Sequence, residues 1–581
     1  MQFSRLAVVC FGTLFLLPVL MFGQFWPQWM QNAQHTGTPP TVGQDLNRIL
    51  ADIVYDQTIP AELTAGGGNL LVHYQVPLID GSNVYMEFKS GTINAKNPDF
   101  ATLNWGENGF QWQNRQLVQV WSYQSDWKAP GNLNDFWEPV FHAVLANGQI
   151  YLPGAHGSII KLNKTTGALI QRISPFGNDP DTYEAGPITT DSNGNIYYNA
   201  VKVTGISTTH DFYAQDATDS WLVKVASNGS FSVVSYLTLT AGIAPAATDQ
   251  CLATFSTKEL PWPPSPTAVP PTVTCGTQRV ALNIAPAIAP DGTVYSITRA
   301  HFVSRYPFLV AVNPDLTRKW VSSLREHFHD GCGVPVSAGG ILPPNGAPGG
   351  CREGANLGVD PATNAPGGGR VLDDSSSSPA VGPDGTVFYG SYTRYNYAQG
   401  HMMKFDGNGN FVTAYIFGWD ETPAIFSQGS GFSLVIKDNH YGGVGSYCNV
   451  ERFCPSDRDA TNPASPTQLF ITQLDQNLAI QWRFKSTSTQ SCTRNADGSI
   501  TCVSDHPDGF EWCVNGHSVD QNGVVYANSE DGNLYAINQG GTLKQLLFQQ
   551  LALGAAYTPT SMGPDGKIYS QNAGHLFVVG H

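Results

Sequence analysis

The sequence predicts an all-β fold: a β-propeller, with eight four-stranded blades and long loop insertions closed by disulfides. Three observations carry that expectation. A motif recurs along the chain: PAIAPDGTVY (286–295), PAVGPDGTVF (379–388) and PTSMGPDGKIY (559–569) are near copies. The composition is turn-rich and poorly charged, with 60 Gly, 39 Pro and 13% charged residues, where an average soluble domain carries about 25% charge. The length, 581 residues, exceeds the roughly 250–300 residues at which one core stops growing, so the chain is either several domains or a repeat array.

The same composition excludes other classes. A coiled coil needs dense Glu, Lys, Ala and Leu. Wholesale disorder is incompatible with 41% hydrophobic and 11% aromatic residues. The formal charge of −15, from 30 basic and 45 acidic residues, opposes a nucleic-acid partner, because a phosphate-backbone binder needs a basic surface.

The chain opens with one Arg (Arg5), an apolar run from Leu6 to Phe22 broken by Pro18, and a small residue, Gly23. This predicts a signal peptide over 1–23 and export to the periplasm, cell surface or extracellular space. The alternative is an uncleaved anchor; no later run is long and apolar enough to cross a bilayer. The single propeller domain then covers 24–581. An oxidising compartment makes disulfides the default for the cysteines that remain. Local closure suggests Cys251–Cys275, Cys332–Cys351, Cys448–Cys454 and Cys492–Cys502, leaving Cys513 unpaired or competing with Cys492 for Cys502.

The repeat unit has a readable physics. An apolar strand runs into Asp-Gly or Asn-Gly, which tolerate the positive φ of a tight hairpin, and resumes as β-branched and aromatic residues. Looser copies are PLIDGSNVY (77–85), VFHAVLANGQIY (140–151), PITTDSNGNIY (187–197) and VDQNGVVY (519–526), and TPAIF (422–426) begins an eighth whose turn has diverged. Each is followed by a strand–turn–strand, as in LVAVNPDLTRKW (309–320) and MMKFDGNGNFVTAY (402–415). Four strands in about 40–45 residues make one propeller blade. The surplus lies in stretches without strand pattern, roughly 92–118, 240–280, 325–372, 438–466 and 486–511. Most of the cysteines fall there, where covalent closure stabilises long loops. The last strand, near Leu576–Val579, is expected to pair with the N-terminal region and close the ring.

The repeat with its final Trp (Trp320, Trp482), together with the opening WPQWMQNAQHTGTPP (26–40), resembles the pyrroloquinoline-quinone-type (PQQ-like) propeller superfamily. The opening is similar to that of secreted, scaffold-like members rather than the alcohol dehydrogenases. The resemblance covers most of the chain outside the insertions and implies the fold. For activity it implies less, because quinone-dependent dehydrogenases and non-enzymatic scaffolds share the repeat. The dehydrogenases hold the quinone and a calcium ion in the axial funnel, with an Asp as base, and many carry a Cys-Cys disulfide over the cofactor. No Cys-Cys dipeptide occurs here, and no calcium ligand or base matches by motif, so none is carried over.

Candidate site residues follow from local chemistry. His327, His329 and Asp330 form the densest group of metal-ligand types, although Gly331 stands where an HxHxD pattern needs its Asp. Their bland reading is a polar loop leading into a disulfide-closed insertion. The run Asp406–Asn410 begins like a calcium loop but has Phe417 where a bidentate Glu is needed, so it reads as a hairpin turn. His440 and His506 lie in other insertions and are candidate loop-face contacts, against a reading as solvated loop residues. Trp105, Trp112 and Trp127, interleaved with Asn and Gln, are candidate sugar-stacking residues, against a reading as core. Trp121 and Trp137 are expected to pack between sheets. The functional expectation is an exported, non-catalytic binding or scaffold protein acting through its loop face, without a cofactor, for a protein or carbohydrate ligand. The first alternative is a PQQ- and calcium-dependent oxidoreductase; the second is a carbohydrate-binding propeller.

Overall fold

The computed structural model describes residues 25–65, 72–93, 99–131, 138–252, 272–327, 369–375, 377–392, 400–417, 420–440, 468–507, 509–512, 514–551 and 559–581. The repeat copies become eight antiparallel sheets, each with four strands in meander order from the axis outward. Blade 1 is Leu78–Asp80, Asn83–Gly91, Leu103–Gln113 and Gln116–Gln124. Blade 2 is Val144–Ala146, Gln149–Gly154, Ser158–Leu162 and Leu169–Ile173. Blades 3 and 4 begin at Thr189–Thr190 and Ala287–Ile288 and end at Phe231–Ser235 and Arg318–Ser323; each has an extra inner segment, Thr182–Glu184 and Gln278–Val280. Blades 5, 6 and 7 run from Ala380–Val381 to Phe411–Phe417, from Ala424–Gln428 to Ile480–Lys485, and from Ser518–Val519 to Thr542–Phe548.

Blade 8 closes the ring. Its inner strands are Ser561–Met562, Ile568–Asn572 and His575–Gly580, and its outer strand is the N-terminal Arg48–Val54, paired antiparallel with His575–Gly580. A ring closed in this way leaves no first and last blade with unpaired edges. The expected pairing of the last strand with the N-terminal region is therefore observed.

Two local devices explain why the repeat folds so regularly. In the Asp-Gly copies, Gly292 and Gly385 sit at φ of +83° and +81°, a region that costs other residues energy. The Asp before each accepts the backbone N–H two residues on, Thr293 to Asp291 and Thr386 to Asp384. The second device is the outer-strand Trp. Trp320 of blade 4 lies against Gly409 in the outer hairpin of blade 5, so close that a Cβ there would sit 2.6 Å from the indole, and its Nε1 donates to the Gly407 carbonyl at 3.0 Å. Trp121 of blade 1 repeats this against Gly167 of blade 2, with Nε1 donating to Lys164 O at 2.9 Å. The expectation that Trp121 packs between sheets is met; Trp137 lies outside the described residues.

The stretch 92–118 corrects an expectation. It is not an insertion beyond residue 102, because Leu103–Gln113 and Gln116–Gln124 are the outer strands of blade 1. Asn, Gln and Gly in LNWGENGFQWQ conceal the period-two pattern, because Trp105–Phe110 is buried as one continuous run that includes the polar Glu107 and Asn108. By contrast, 240–280 and 486–511 do carry structure outside the blades: the hairpins Gln250–Leu252/Thr272–Thr274 and Gln490–Arg494/Ile500–Ser504. Cys251–Cys275 and Cys492–Cys502 are bonded as expected. Cys332, Cys351, Cys448, Cys454 and Cys513, and the leader 1–23, lie outside the described residues. Among the described residues no helix is long and apolar enough to cross a membrane.

Candidate functional site

The topology divides the ring into two unlike ends. Every connection from one blade to the next, and every connection between second and third strands, leaves from the end where the innermost strands begin. All the expected insertions except 92–118 attach there, as does Asp99–Thr102, which joins the second and third strands of blade 1. We call this the loop end.

At the opposite end the chain itself forms a cap. Residues 26–44 run across the innermost strands in blade order. Ile79 exchanges two backbone bonds of 3.0 Å with Trp26; Leu145 N–H donates to Pro27 O, Ile288 to Ala33 O, Val381 to Gln34 O, Ile425 to Thr36 O and Val519 to Gly37 O; Gln44 N–H donates to Gly566 O. Blade 3 is met by a side chain, Gln28, whose amide accepts from Thr190 N–H at 2.6 Å and donates to its carbonyl at 3.2 Å. All eight blades are thus met by one segment, and its Trp26, Trp29 and Met30 are buried.

At the loop end the axis is crossed by side chains instead. These come from the residues just before each innermost strand. His73, entering blade 1, has one ring nitrogen 3.0 Å from Glu138 O and the other 3.0 Å from Asp374 O; Asp374 enters blade 5, on the far side of an eight-membered ring. Asn283, entering blade 4, accepts from Val140 N–H at 2.8 Å and donates to Asp373 O at 3.0 Å. Burial lowers the His73 pKa to about 4, so the ring is neutral and donates from one nitrogen only; with the proton on Nε2 it donates to Asp374 O, and Nδ1 accepts from Asn283 Nδ2 at 3.3 Å. Neighbouring blades are stitched at this level: Ser561 to Pro77 O, Ala143 N–H to Gln75, Ala285 N–H to Ser378, Ser375 to Asp420, Thr422 N–H to Asn515 and Ser518 N–H to Thr560.

The carboxylates of this layer are mostly committed. Asp373 receives both arms of Arg279 at 2.6 and 3.0 Å, Arg299 at 3.1 Å, and the Tyr213 hydroxyl. Burial opposes its charge, but the two guanidiniums win and hold it far below the usual carboxylate range. Asp420 accepts from Ser375 and Ser377. Glu421 accepts the Lys437 N–H at 2.6 Å and lies 3.0 Å from His517 Nδ1; burial raises the acid well above the usual carboxylate range and lowers the imidazole to about 3. Asp374 differs. Its Oδ1 is buried without a hydrogen-bond partner, and burial followed by repulsion from Asp420 and Asp373 pushes its carboxyl up to about 7.

The residues singled out in the sequence fall elsewhere. Trp105 and Trp127 are a correction to the sugar-stacking expectation: both are buried, in edge-to-face contact at 5.1 Å, with Trp105 Nε1 donating to Glu138 at 3.1 Å. The indoles are in the core although the amides near them in sequence, Asn104, Gln111, Gln113 and Asn114, are half-buried or exposed. Trp112 is half-buried, but its place is the outer hairpin of blade 1 at the capped end, so it is not a loop-face residue. His327 stacks on Phe411 at 4.3 Å with Nε2 bonded to Ser323 O; His329 and Asp330 lie outside the described residues. His506 bonds to Asp505 at 2.7 Å and stacks on Phe510. His440 ends the second strand of blade 6. Among the described residues no three His, Cys, Asp or Glu gather to hold a metal. Asp406 accepts from Asn408 and Asn410 N–H, as a hairpin turn does.

Sequence reading missed the axial layer. The signal available was positional: polar residues stand just before the repeated motif in DDSSSSPAV (373–381), DETPAIF (420–426) and NGHSVD (515–520).

No protein-family model matches the chain, and no curated protein matches it in sequence. Among solved structures, a europium-containing methanol dehydrogenase is similar at 12% identity and a TM-score of 0.45, over 94% of this chain and 89% of that one. BamB from Moraxella catarrhalis is similar at 9% identity and a TM-score of 0.38, over 92% and 99%. Sqt1 from Saccharomyces cerevisiae is similar at 9% identity and a TM-score of 0.39, over 93% and 98%.

Proposed function

We propose that the chain is an exported, non-catalytic propeller that binds a macromolecular partner with its loop end. The observation that carries this reading is the asymmetry of closure. One end is capped by residues 26–44 and the axis of the other is crossed by the His73 and Asn283 bonds, which leaves the hairpins around the loop end as the surface free to engage a partner. Those hairpins present apolar side chains to solvent: Ile500 and Val503 on the Cys492–Cys502 hairpin, Val273 on the Cys251–Cys275 hairpin and Phe302 beside it. Exposed apolar groups on a rigid frame are what a recognition surface requires.

The quinone reading finds less support in the described residues. A calcium ion takes six or more oxygens, chiefly from carboxylates and amides. Here Asn283 and Asp373 are engaged by internal partners and Asp420 accepts from Ser375 and Ser377, while unpartnered buried oxygens remain on Asp374, Glu421 and Glu184. Among the described residues no three His, Cys, Asp or Glu gather to hold a metal, and no step is derived through a calcium–quinone pair.

Two measurements test the reading. Titration with pyrroloquinoline quinone plus calcium, or plus a lanthanide, is expected to leave tryptophan fluorescence unchanged and to support no dye reduction with alcohols or sugars; cofactor-dependent turnover overturns the proposal. A photo-crosslinking residue at Val503 is expected to capture a partner from an envelope extract, whereas one at Val233 on the outer rim of blade 3 captures none. Equal yields at the two positions would remove the loop end from the role.

A further inference from the structure

A second candidate site lies at the capped end, on the seam where the ring closes. A cavity of about 680 Å³ is lined by Arg48, the first residue of the closing strand, by Trp112 and Arg115 of the outer hairpin of blade 1, and by Asp565 and Lys567 of the inner hairpin of blade 8. Its size is that of a small-molecule site.

The charge in this cavity is opposite to that of the molecule. The protein carries −15, yet three of the four charged side chains named here are cations. Lys567 is paired with Asp565. Arg48 and Arg115 have no carboxylate within ion-pair distance among the described residues. Guanidinium groups present parallel N–H donors that match carboxylate, sulfate or phosphate oxygens.

The aromatic wall is fixed. Trp112 Nε1 donates to the Tyr569 hydroxyl at 2.8 Å, across the seam from blade 1 to blade 8. The Lys567 ammonium lies over the indole, 4.9 Å from its centre, so the cation covers part of that ring face. Arg115 adds a backbone observation: Asn114 and Arg115 turn the hairpin at φ of +49° and +67°. The second position of such a turn favours Gly. An arginine held there against the backbone preference is a pointer to function.

We propose that this cavity binds a small acidic saccharide, with its carboxylate on Arg48 and Arg115 and its sugar ring against the wall that Trp112 and Lys567 make together. Because the lining comes from both sides of the seam, occupancy also strengthens ring closure. This site is separate from the loop-end reading and does not depend on it.

The test uses the intact protein with digalacturonate as probe, and maltose and sodium sulfate as comparators. Digalacturonate is expected to bind with a Kd below about 1 mM by calorimetry and to raise the melting temperature, while maltose does neither and sulfate binds at least roughly tenfold more weakly. Arg115→Gly removes the guanidinium at a position glycine adopts freely, so it folds at least as well as the parent. It is expected to weaken digalacturonate at least about tenfold, as is Arg48→Gln, whereas Lys485→Gln on the distant rim of blade 6 changes nothing. Absence of digalacturonate binding at about 10 mM, equal affinity for maltose or for sulfate, or unchanged affinity in both arginine variants overturns the proposal.

Discussion

The two ends of the ring close by different chemistry. At the capped end one segment takes backbone hydrogen bonds from seven of the eight blades, so closure depends little on which side chains line the inner strands. At the loop end closure is made by particular side chains, His73, Asn283, Asp373 and Asp420, each with bonds that only its own shape and charge permit. Backbone closure tolerates sequence divergence between blades; side-chain closure ties the end to one set of residues and one protonation state.

Breaking the cap gives the largest expected effect. Trp26 is fully buried where the segment enters between blades 1 and 2, and Trp26→Ala is expected to cost about 3–5 kcal/mol. The loss should register across the whole ring, because the cap touches every blade. Hydrogen exchange should therefore rise at the inner strands of all blades together. A rise confined to blades 1 and 2 would show that the cap is a row of local contacts and not a single element.

The loop end should respond to pH where the cap does not. His73 has a folded pKa lowered to about 4 from a reference of 6.5. Between those values the unfolded chain binds a proton that the native ring refuses, so the stability contributed by neutral His73 is complete above pH 6.5 and is lost as pH falls toward 4, at about 1.4 kcal/mol per pH unit. Asp374, with its pKa raised to about 7, works in the opposite sense: the native state holds its proton more tightly, and that contribution grows as pH falls below 7. The clean measurement is a difference. His73→Gln is expected to be less stable than the parent at pH 7, and the deficit should narrow steadily toward pH 4. A deficit independent of pH would mean that His73 is not buried neutral across the axis.

The same contrast explains what was legible in the sequence. The inner hairpins were legible at seven of the eight positions, because Asp-Gly and Asn-Gly answer a local demand of the backbone and recur with the blade; in blade 6 the turn has diverged, and only the strand opening at TPAIF marked it. The outer Trp was legible for the same reason, as Trp320 docks on the next blade's hairpin. The path of 26–44 was not, since a backbone bond from Ile288 to Ala33 leaves no mark on either side chain. The axial layer was hidden differently: His73 and Asp374 stand about 300 positions apart and meet only because the ring brings blades 1 and 5 face to face. Trp105 and Trp127 were misread because the Asn and Gln around them do face solvent in part, while the indoles themselves turn inward and are buried.

The smallest expected effect sharpens the comparison within the loop end itself. Cys251 and Cys275 are fully buried with Ala300 and Val303 of blade 4, so their hairpin is part of the ring's packing. Cys492 and Cys502 face each other on a hairpin whose second strand is exposed throughout, and its main tie to the blades is Arg494 to Phe548 O at 2.9 Å. A disulfide stabilises chiefly by restricting the open state of the segment it closes, and for this hairpin that state is local. Mild reductant should therefore give alkylation at Cys492 and Cys502 first, with exchange rising at 490–504 and blade amides unchanged. Cys251 and Cys275 should react only under conditions that unfold blade 4. Peptide mapping of the alkylated protein distinguishes the two sites. Simultaneous labelling would show that the exposed hairpin is coupled to the ring as tightly as the buried one, and that the loop end is rigid out to its tip.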